Sequence, residues 1–145
     1  RRLFALVIHC REDVDHVAVR LRLSNETAKA LHAANGAAVL LKSAAHIDGH
    51  SVRKAAWRFG IAAALTALAV TFAGDRKTRV DDLVTYAQEL NAWGPPAMPV
   101  LGRDLIEAGM ARGPALGQTL KQLEGRWIDS DFTLSKEDLL ACIDT

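Results

Sequence analysis

The sequence predicts an all-α fold, and three observations carry that prediction. Of its 145 residues 50% are hydrophobic but only 6% aromatic, and the apolar set leans on Ala, Leu and Val, which suits closely packed helices better than a sandwich of aromatic and β-branched strands. Apolar residues recur at helical spacing in segment after segment, and no stretch reads as a convincing strand. Capping residues, glycines and prolines divide those segments into about seven short helices, a compact helical array without a sheet. The length is that of one compact domain able to bury a real core.

In chain order, residues 1–23 hold a helix or two around a break at Arg11 to Asp15 and end in the basic-apolar Leu21-Arg22-Leu23. Ser24 or Asn25 caps the next helix, with Glu26 in its first turn; Ala28, Leu31, Ala38, Val39 and Leu41 supply an imperfect inner face, and HIDGH at 46–50 ends it. Ser51 is expected to cap a short helix, VRKAAWRF, which Gly60 closes in the left-handed conformation. The run IAAALTALAVTFA is apolar nearly all round and is expected to be the most buried element. Thr78 is placed to cap a helix with Asp81 and Asp82 in its first turn and Val80, Leu83, Val84, Ala87 and Leu90 at helical spacing. Gly94-Pro95-Pro96 stops it.

The stretch PVLGRDLIEAGMARGPALGQTLKQLEGRWI, residues 99–128, holds five glycines and two prolines among regularly spaced leucines. Most read as punctuation. A short helix over Arg103 to Ala108 is closed by Gly109, and a longer one starts at Gly113-Pro114, since proline at the first helical position lacks only an N–H that would have been unpaired there. Leu116, Leu120, Leu123 and Trp127 form the stripe of the longer helix. Capping explains neither Gly117 nor Gly125; for Gly117, packing of a neighbouring helix is the leading reading, ahead of close approach by a phosphate. Ser135 and Asp138 have capping-box spacing before Leu139, Leu140 and Ile143.

A net charge of +1 argues against a strongly basic nucleic-acid binder, yet the charge is uneven. Between Arg53 and Arg79 six basic residues stand against one acid, Asp75, whereas the end of the chain carries Asp129, Asp131, Glu137, Asp138 and Asp144 against Lys136. The greasiest run, Ile61 to Ala73, is too short to cross a bilayer and no signal peptide precedes it, which predicts a soluble protein without a membrane partner. Cys10 and Cys142 form no CxxC pair and read as buried reduced thiols of a cytoplasmic protein. The chain opens on Arg1-Arg2 rather than methionine, so a natural start upstream is expected.

Few residues offer chemistry. Asp13-Val14-Asp15 has the spacing of a two-metal carboxylate pair, but without strand alternation or a Gly-Ser phosphate loop it reads as an exposed acidic turn. His46 and His50 would share a helix face as metal ligands; Gly49 between them and the want of a third ligand point to an interhelical loop. Neither Cys10 beside His9 nor any serine stands in a nucleophile elbow. No catalytic and no metal residue is assigned. Binding remains. Arg53, Lys54 and Arg58 with Trp57 mix basic and aromatic groups as a nucleic-acid backbone would require, an ordinary solvated face being the alternative. Arg103 and Arg112 are placed just ahead of helices, whose N-terminal N–H groups attract anions, and Lys121 and Arg126 follow.

At this point the stretch LGRDLIEAGMARGPALGQTLKQLEGRWI resembles the C-terminal signature of bacterial tRNA nucleotidyltransferases, the CCA-adding enzymes, and of the related bacterial poly(A) polymerases. LRLSNETAKAL at 21–31, RKAAWRFG at 53–60 and WGPPAMPVLGRDL at 93–105 agree in the right order, so the likeness runs from Leu21 to Leu140. In that family a catalytic head, with a Gly-Ser loop and an Asp-x-Asp metal pair, precedes helical neck, body and tail. The resemblance implies a body-like part over 1–92 and a tail-like part over 93–145, without the head, and it implies that Asp13 and Asp15 are not the metal pair. Mg and CTP or ATP then belong to the head, and no cofactor to this chain. The implied partners are tRNA or other structured RNA and the protein's own head; this part alone is not the enzyme, although its parent would transfer CMP or AMP to RNA 3′ ends.

The mechanism so implied is recognition of the acceptor and TΨC stem by shape and phosphates. Arg103, Arg112, Lys121 and Arg126, then Arg53, Arg58, Arg76 and Lys77, are the expected phosphate contacts, with Gly113 and Gly117 letting the backbone come close; charge and placement select them. CCA addition and poly(A) addition both stay open. Two other classes compete: a DNA-binding helix-hairpin-helix around Gly109 to Gly113, whose usual Gly-x-Gly hairpin is absent, and a structural helical domain that packs on a protein partner.

Overall fold

The computed structural model describes residues 11–74 and 80–143. Over those residues the chain forms eight α-helices and no strand: α1 (Arg11–Arg20), α2 (Asn25–Ser43), α3 (Gly49–Phe59), α4 (Ile61–Gly74), α5 (Val80–Ala92), α6 (Gly102–Glu107), α7 (Pro114–Asp129) and α8 (Lys136–Ala141). They fall into two compact units, Arg1–Pro95 and Pro96–Thr145.

In the first unit α2 and α4 lie along each other, α3 packs on both, α1 leans on α2, and α5 on α4 and α3. The core is built largely from alanines, Ala34, Ala37 and Ala38 of α2, Ala55 and Ala56 of α3, and Ala64 and Ala67 of α4, closed by Val14, Leu41, Val52, Leu68 and Leu90. Such small side chains lose no rotamer freedom on burial and let helices approach closely. The approach is tightest at Gly36, where a Cβ would stand 2.8 Å from Cζ of Phe59.

Local chemistry corrects several expectations in this unit. Residues 11–20 are one helix, so Asp13-Val14-Asp15 is no acidic turn: Val14 is fully buried and Asp15 pairs with His32 of α2 at 2.9 Å. Ser24 caps α2 by accepting the Thr27 N–H at 3.2 Å. Val39 is 56% exposed rather than on the inner face, which Leu31, Ala34, Ala37, Ala38 and Leu41 make. Asp48, not Ser51, caps α3: its carboxylate accepts the Ser51 N–H at 2.8 Å, while the Ser51 hydroxyl accepts the Asp48 N–H at 3.0 Å. Gly60 does close α3 at positive φ, but with φ 88 and ψ 152 it is extended rather than left-handed helical; only glycine visits that region freely. The apolar run of α4 buries Ala63, Ala64, Ala67 and Leu68 and leaves Ala62, Ala69 and Ala73 exposed, because its all-round hydropathy comes from alanines that solvent tolerates. Thr78 lies outside the described residues.

The second unit packs α6 and α8 against α7, with Trp127, Ile128, Leu123, Leu105, Leu139 and Val100 buried. Trp127 meets Phe132 edge to face at 5.0 Å between ring centroids. Asp104, 5% exposed, ties the unit together: one carboxylate oxygen accepts the Leu101 N–H at 2.7 Å and the other the Lys136 ammonium at 2.8 Å, joining the start of α6 to the start of α8. Lys136 first, then the Leu101 N–H, hold its carboxyl below the ordinary carboxylate range.

Three helix stops follow one pattern. After α6 the Gly109 N–H donates to Ile106 and the Met110 N–H to Leu105, each at 2.9 Å, a Schellman closure with Gly109 at φ 93. After α7 the same pair of bonds runs from Asp131 and Phe132 to Ile128 and Trp127, and after α1 from Arg22 and Leu23 to Val19 and Ala18. There the positive-φ residues are Asp131 and Phe132 after α7 and Arg22 after α1.

Gly36→Ala tests the contact with Phe59. Alanine favours a helix interior by about 1 kcal/mol, whereas overpacking costs about 1–3 kcal/mol, so the expected outcome in urea unfolding is a net loss on the order of 1 kcal/mol. Asp104→Asn tests the acid tie. A carboxyl whose pKa is lowered by folding contributes stability above its unfolded value and loses it as pH falls through the folded one. The variant should therefore melt at lower temperature at pH 7 and show a shallower loss of stability below about pH 4 than the parent.

Candidate nucleic-acid interface

Helix α7 carries Gly117, Lys121 and Arg126, with Arg112 and Gly113 just ahead of it, and its two faces differ. Leu123, Trp127 and Ile128 are buried, with Leu116 and Leu120 half-buried beside them. The opposite face exposes Gly117, Gln118, Lys121, Gln122 and Arg126, and Arg112 and Gly113 are exposed just ahead of it. Gly113 is the N-cap and Pro114 opens the helix; no side chain caps this end and no acid sits in its first turn. The positive end of the dipole thus has no anion in its own first turn.

Gly113, Gly117, Lys121 and Gly125 are four residues apart in succession, which sets them along one ridge about 18 Å long. A Cβ at Gly113, Gly117 or Gly125 would meet nothing within 4 Å. The leading sequence reading of Gly117, packing of a neighbouring helix, is therefore wrong among the described residues: nothing there requires a glycine, although each glycine inside the helix costs about 1 kcal/mol relative to alanine. Gly125 belongs with this group and was missed as a candidate; the four-residue spacing was its signal.

The remaining candidates are placed differently. Arg103 does not precede α6 but is its second residue, and the Asp104 carboxylate already occupies that helix end. Its guanidinium is 75% exposed, with Nε 3.8 Å from Asp104. In the first unit Arg58 is exposed, one turn after Lys54. Arg53 is half-buried and turned toward acid: its Nη1 and the Glu89 carboxylate stand 3.0 and 3.5 Å from the point where a Cβ on Gly49 would lie. Arg76 and Lys77 lie outside the described residues. The structure thus gathers Arg112, Gly113, Gly117, Lys121 and Arg126 on or beside α7, with Arg103 in the same unit and Arg53 and Arg58 in the other.

No group of three or more His, Cys, Asp or Glu side chains able to hold a metal occurs among the described residues. His46 is 81% exposed, 3.9 Å from Asp48, while His50 lies in the first turn of α3, so the two do not share a helix face. Cys142 is a free, half-buried thiol, and Cys10 lies outside the described residues. No described helix is long and apolar enough to cross a membrane.

The sequence has known relatives. Human mitochondrial CCA tRNA nucleotidyltransferase 1 is 33% identical over 75 residues, which cover 48% of this chain and 17% of that protein. The zebrafish protein of the same name is 32% identical over the same extent. The chain thus spans 17% of the length of the curated relatives it matches. The family profile described as tRNA nucleotidyltransferase domain 2 matches residues 2–143, almost the whole chain. By that match, the chain belongs to the tRNA nucleotidyltransferase domain 2 family.

Proposed function

We propose that this chain is the RNA-gripping, non-catalytic part of a tRNA nucleotidyltransferase, a CCA-adding enzyme or poly(A) polymerase, and that it holds the acceptor and TΨC stem while a head domain adds nucleotides with Mg and CTP or ATP. The observation that carries the reading is the ridge of α7: Gly117 and Gly125, whose Cβ positions meet nothing among the described residues, in line with Lys121 and flanked by Arg112 and Arg126. A-form RNA offers a shallow minor groove and two rows of phosphates rather than readable base edges, so a bare helix backbone with a few cations suits it. A phosphate near Arg112 would meet the uncapped N-terminus of α7 as well as the guanidinium. Arg103 and Arg58, both exposed, extend the grip within their own units, and Arg53, Arg76 and Lys77 complete the proposed set. Of location, the proposal keeps the cytoplasm, on the free thiol of Cys142; the mitochondrial site is part of the relatives' names.

Salt dependence measures the grip. With some four to six phosphates engaged, log K for tRNA should fall with log salt at a slope of about −3 to −5, and tRNA should bind better than duplex DNA of equal length. Equal binding of the two duplexes would sink the stem-grip reading. Arg112→Ala should weaken tRNA binding with an unchanged melting temperature; a large drop in melting temperature would make it a structural residue. Gly117→Ala should raise stability by about 0.5–1 kcal/mol and weaken tRNA binding in the same protein, since the new Cβ stands where the ligand must approach. A stabilised variant with undiminished binding would remove the ridge from the interface.

A further inference from the structure

We infer that the groove flanking the α2–α3 loop binds an unpaired RNA segment, a site separate from the stem grip of α7 and lying wholly in the first unit. One part is a cleft of about 390 Å³ between the end of α2, the end of α4 and the start of α5, lined among others by Lys42, His46, Phe72, Asp82 and Tyr86. That volume is within the range of small-molecule sites, about 300–1,000 Å³. Phe72 and Tyr86 stand at 80° with ring centroids 6.4 Å apart, so they form a corner in which a flat heterocycle stacks on one ring and meets the edge of the other. The Tyr86 hydroxyl donates to the Ile47 carbonyl at 3.1 Å and holds the loop that makes the third wall.

The polar groups complement a nucleotide. Lys42 and His46 are exposed at the rim and offer cationic or donor groups to a phosphate, while the exposed Asp82 accepts from the exocyclic amino group of adenine or cytosine. Uracil lacks that amino group. A second cleft of about 370 Å³ shares Ala44, Ala45 and His46 with the first and includes Ser43, Asp48 and Lys54. Two neighbouring clefts that share Ala44, Ala45 and His46 fit consecutive nucleotides of a strand better than a single metabolite, and base stacking on aromatic rings is the usual means of holding unpaired strands.

Titration of the isotope-labelled chain with single-stranded tetranucleotides of adenosine, cytidine and uridine, followed by NMR, tests this without tRNA. The adenosine and cytidine strands should give saturable shifts centred on Lys42, Ile47, Phe72, Asp82 and Tyr86, and the uridine strand should bind at least about threefold more weakly. Asp82→Asn should erase the base preference, and Lys42→Ala should weaken all three strands by about threefold. Both positions are exposed, so the fold survives them; Phe72→Leu, expected to abolish binding, is interpreted only beside them and its own melting curve. Shifts that do not saturate, shifts centred elsewhere, or equal binding of uridine and adenosine strands would overturn the proposal. The stem grip is read separately, from tRNA binding by Gly117→Ala and Arg112→Ala, so either site can fail while the other stands.

Discussion

Short helices place the main constraint on this chain. Its elements run from six residues in α6 to 19 in α2, and every helix end orphans four backbone N–H or C=O groups. At six residues the orphans are a large share of the backbone, and no helix of such length is stable by itself. The chain answers locally at several of the described ends. Ser24 caps α2, Asp48 and Ser51 bond reciprocally at α3, Asp104 turns back onto Leu101 at α6, and Ser135 and Asp138 box the start of α8. Schellman closures end α1, α6 and α7. The start of α7 has proline at its first position and no side chain over its N–H groups. It is also where Arg112 and the glycine ridge lie.

Once the ends are closed, packing decides the rest, and the two units solve it differently. The first presses alanine against alanine, and the contact of Gly36 with Phe59 shows how little room is left. The second has a smaller core, organised around Trp127 and Phe132, and adds an ionic tie from Asp104 to Lys136. A buried carboxylate is tolerable there because both of its oxygens are engaged, one by an ammonium and one by a backbone N–H. The tie fixes α6 and α8 at the flank of α7, leaving the far face of α7 uncovered.

That far face was only partly legible in the sequence. The cations Arg112, Lys121 and Arg126 could be placed by charge and helical spacing, and the stop at Gly109 and start at Gly113-Pro114 follow from backbone chemistry. Whether Gly117 touches a helix or solvent could not be read, because a glycine fits both and only the position of its neighbours distinguishes them. Arg103 shows the same limit. One residue of shift in the helix start moved it from ahead of the dipole to within the helix, where Asp104 had already taken the anion's place. The misassigned cap of α3 has a related cause: Asp48 and Ser51 are both capping residues, and the spacing that makes a box also hides which of the two is outside the helix.

By itself the sequence determined what depends on neighbours along the chain: the all-α class, the breaks at Gly60, Gly94-Pro95-Pro96, Gly109 and Gly113-Pro114, the boxed start of α8 and the family signature of residues 101–128. These rest on backbone dihedrals and hydrogen bonds within four or five residues, which local residue identity controls. Tertiary structure alone decided which face of α4 is buried, that Val39 faces solvent, that Arg53 turns toward Glu89 while Arg58 does not, and that the glycines of α7 face open space. Those outcomes depend on which helices meet and at what distance, and a helix-forming residue pattern is compatible with many such meetings until the side chains of another segment fill or leave the space.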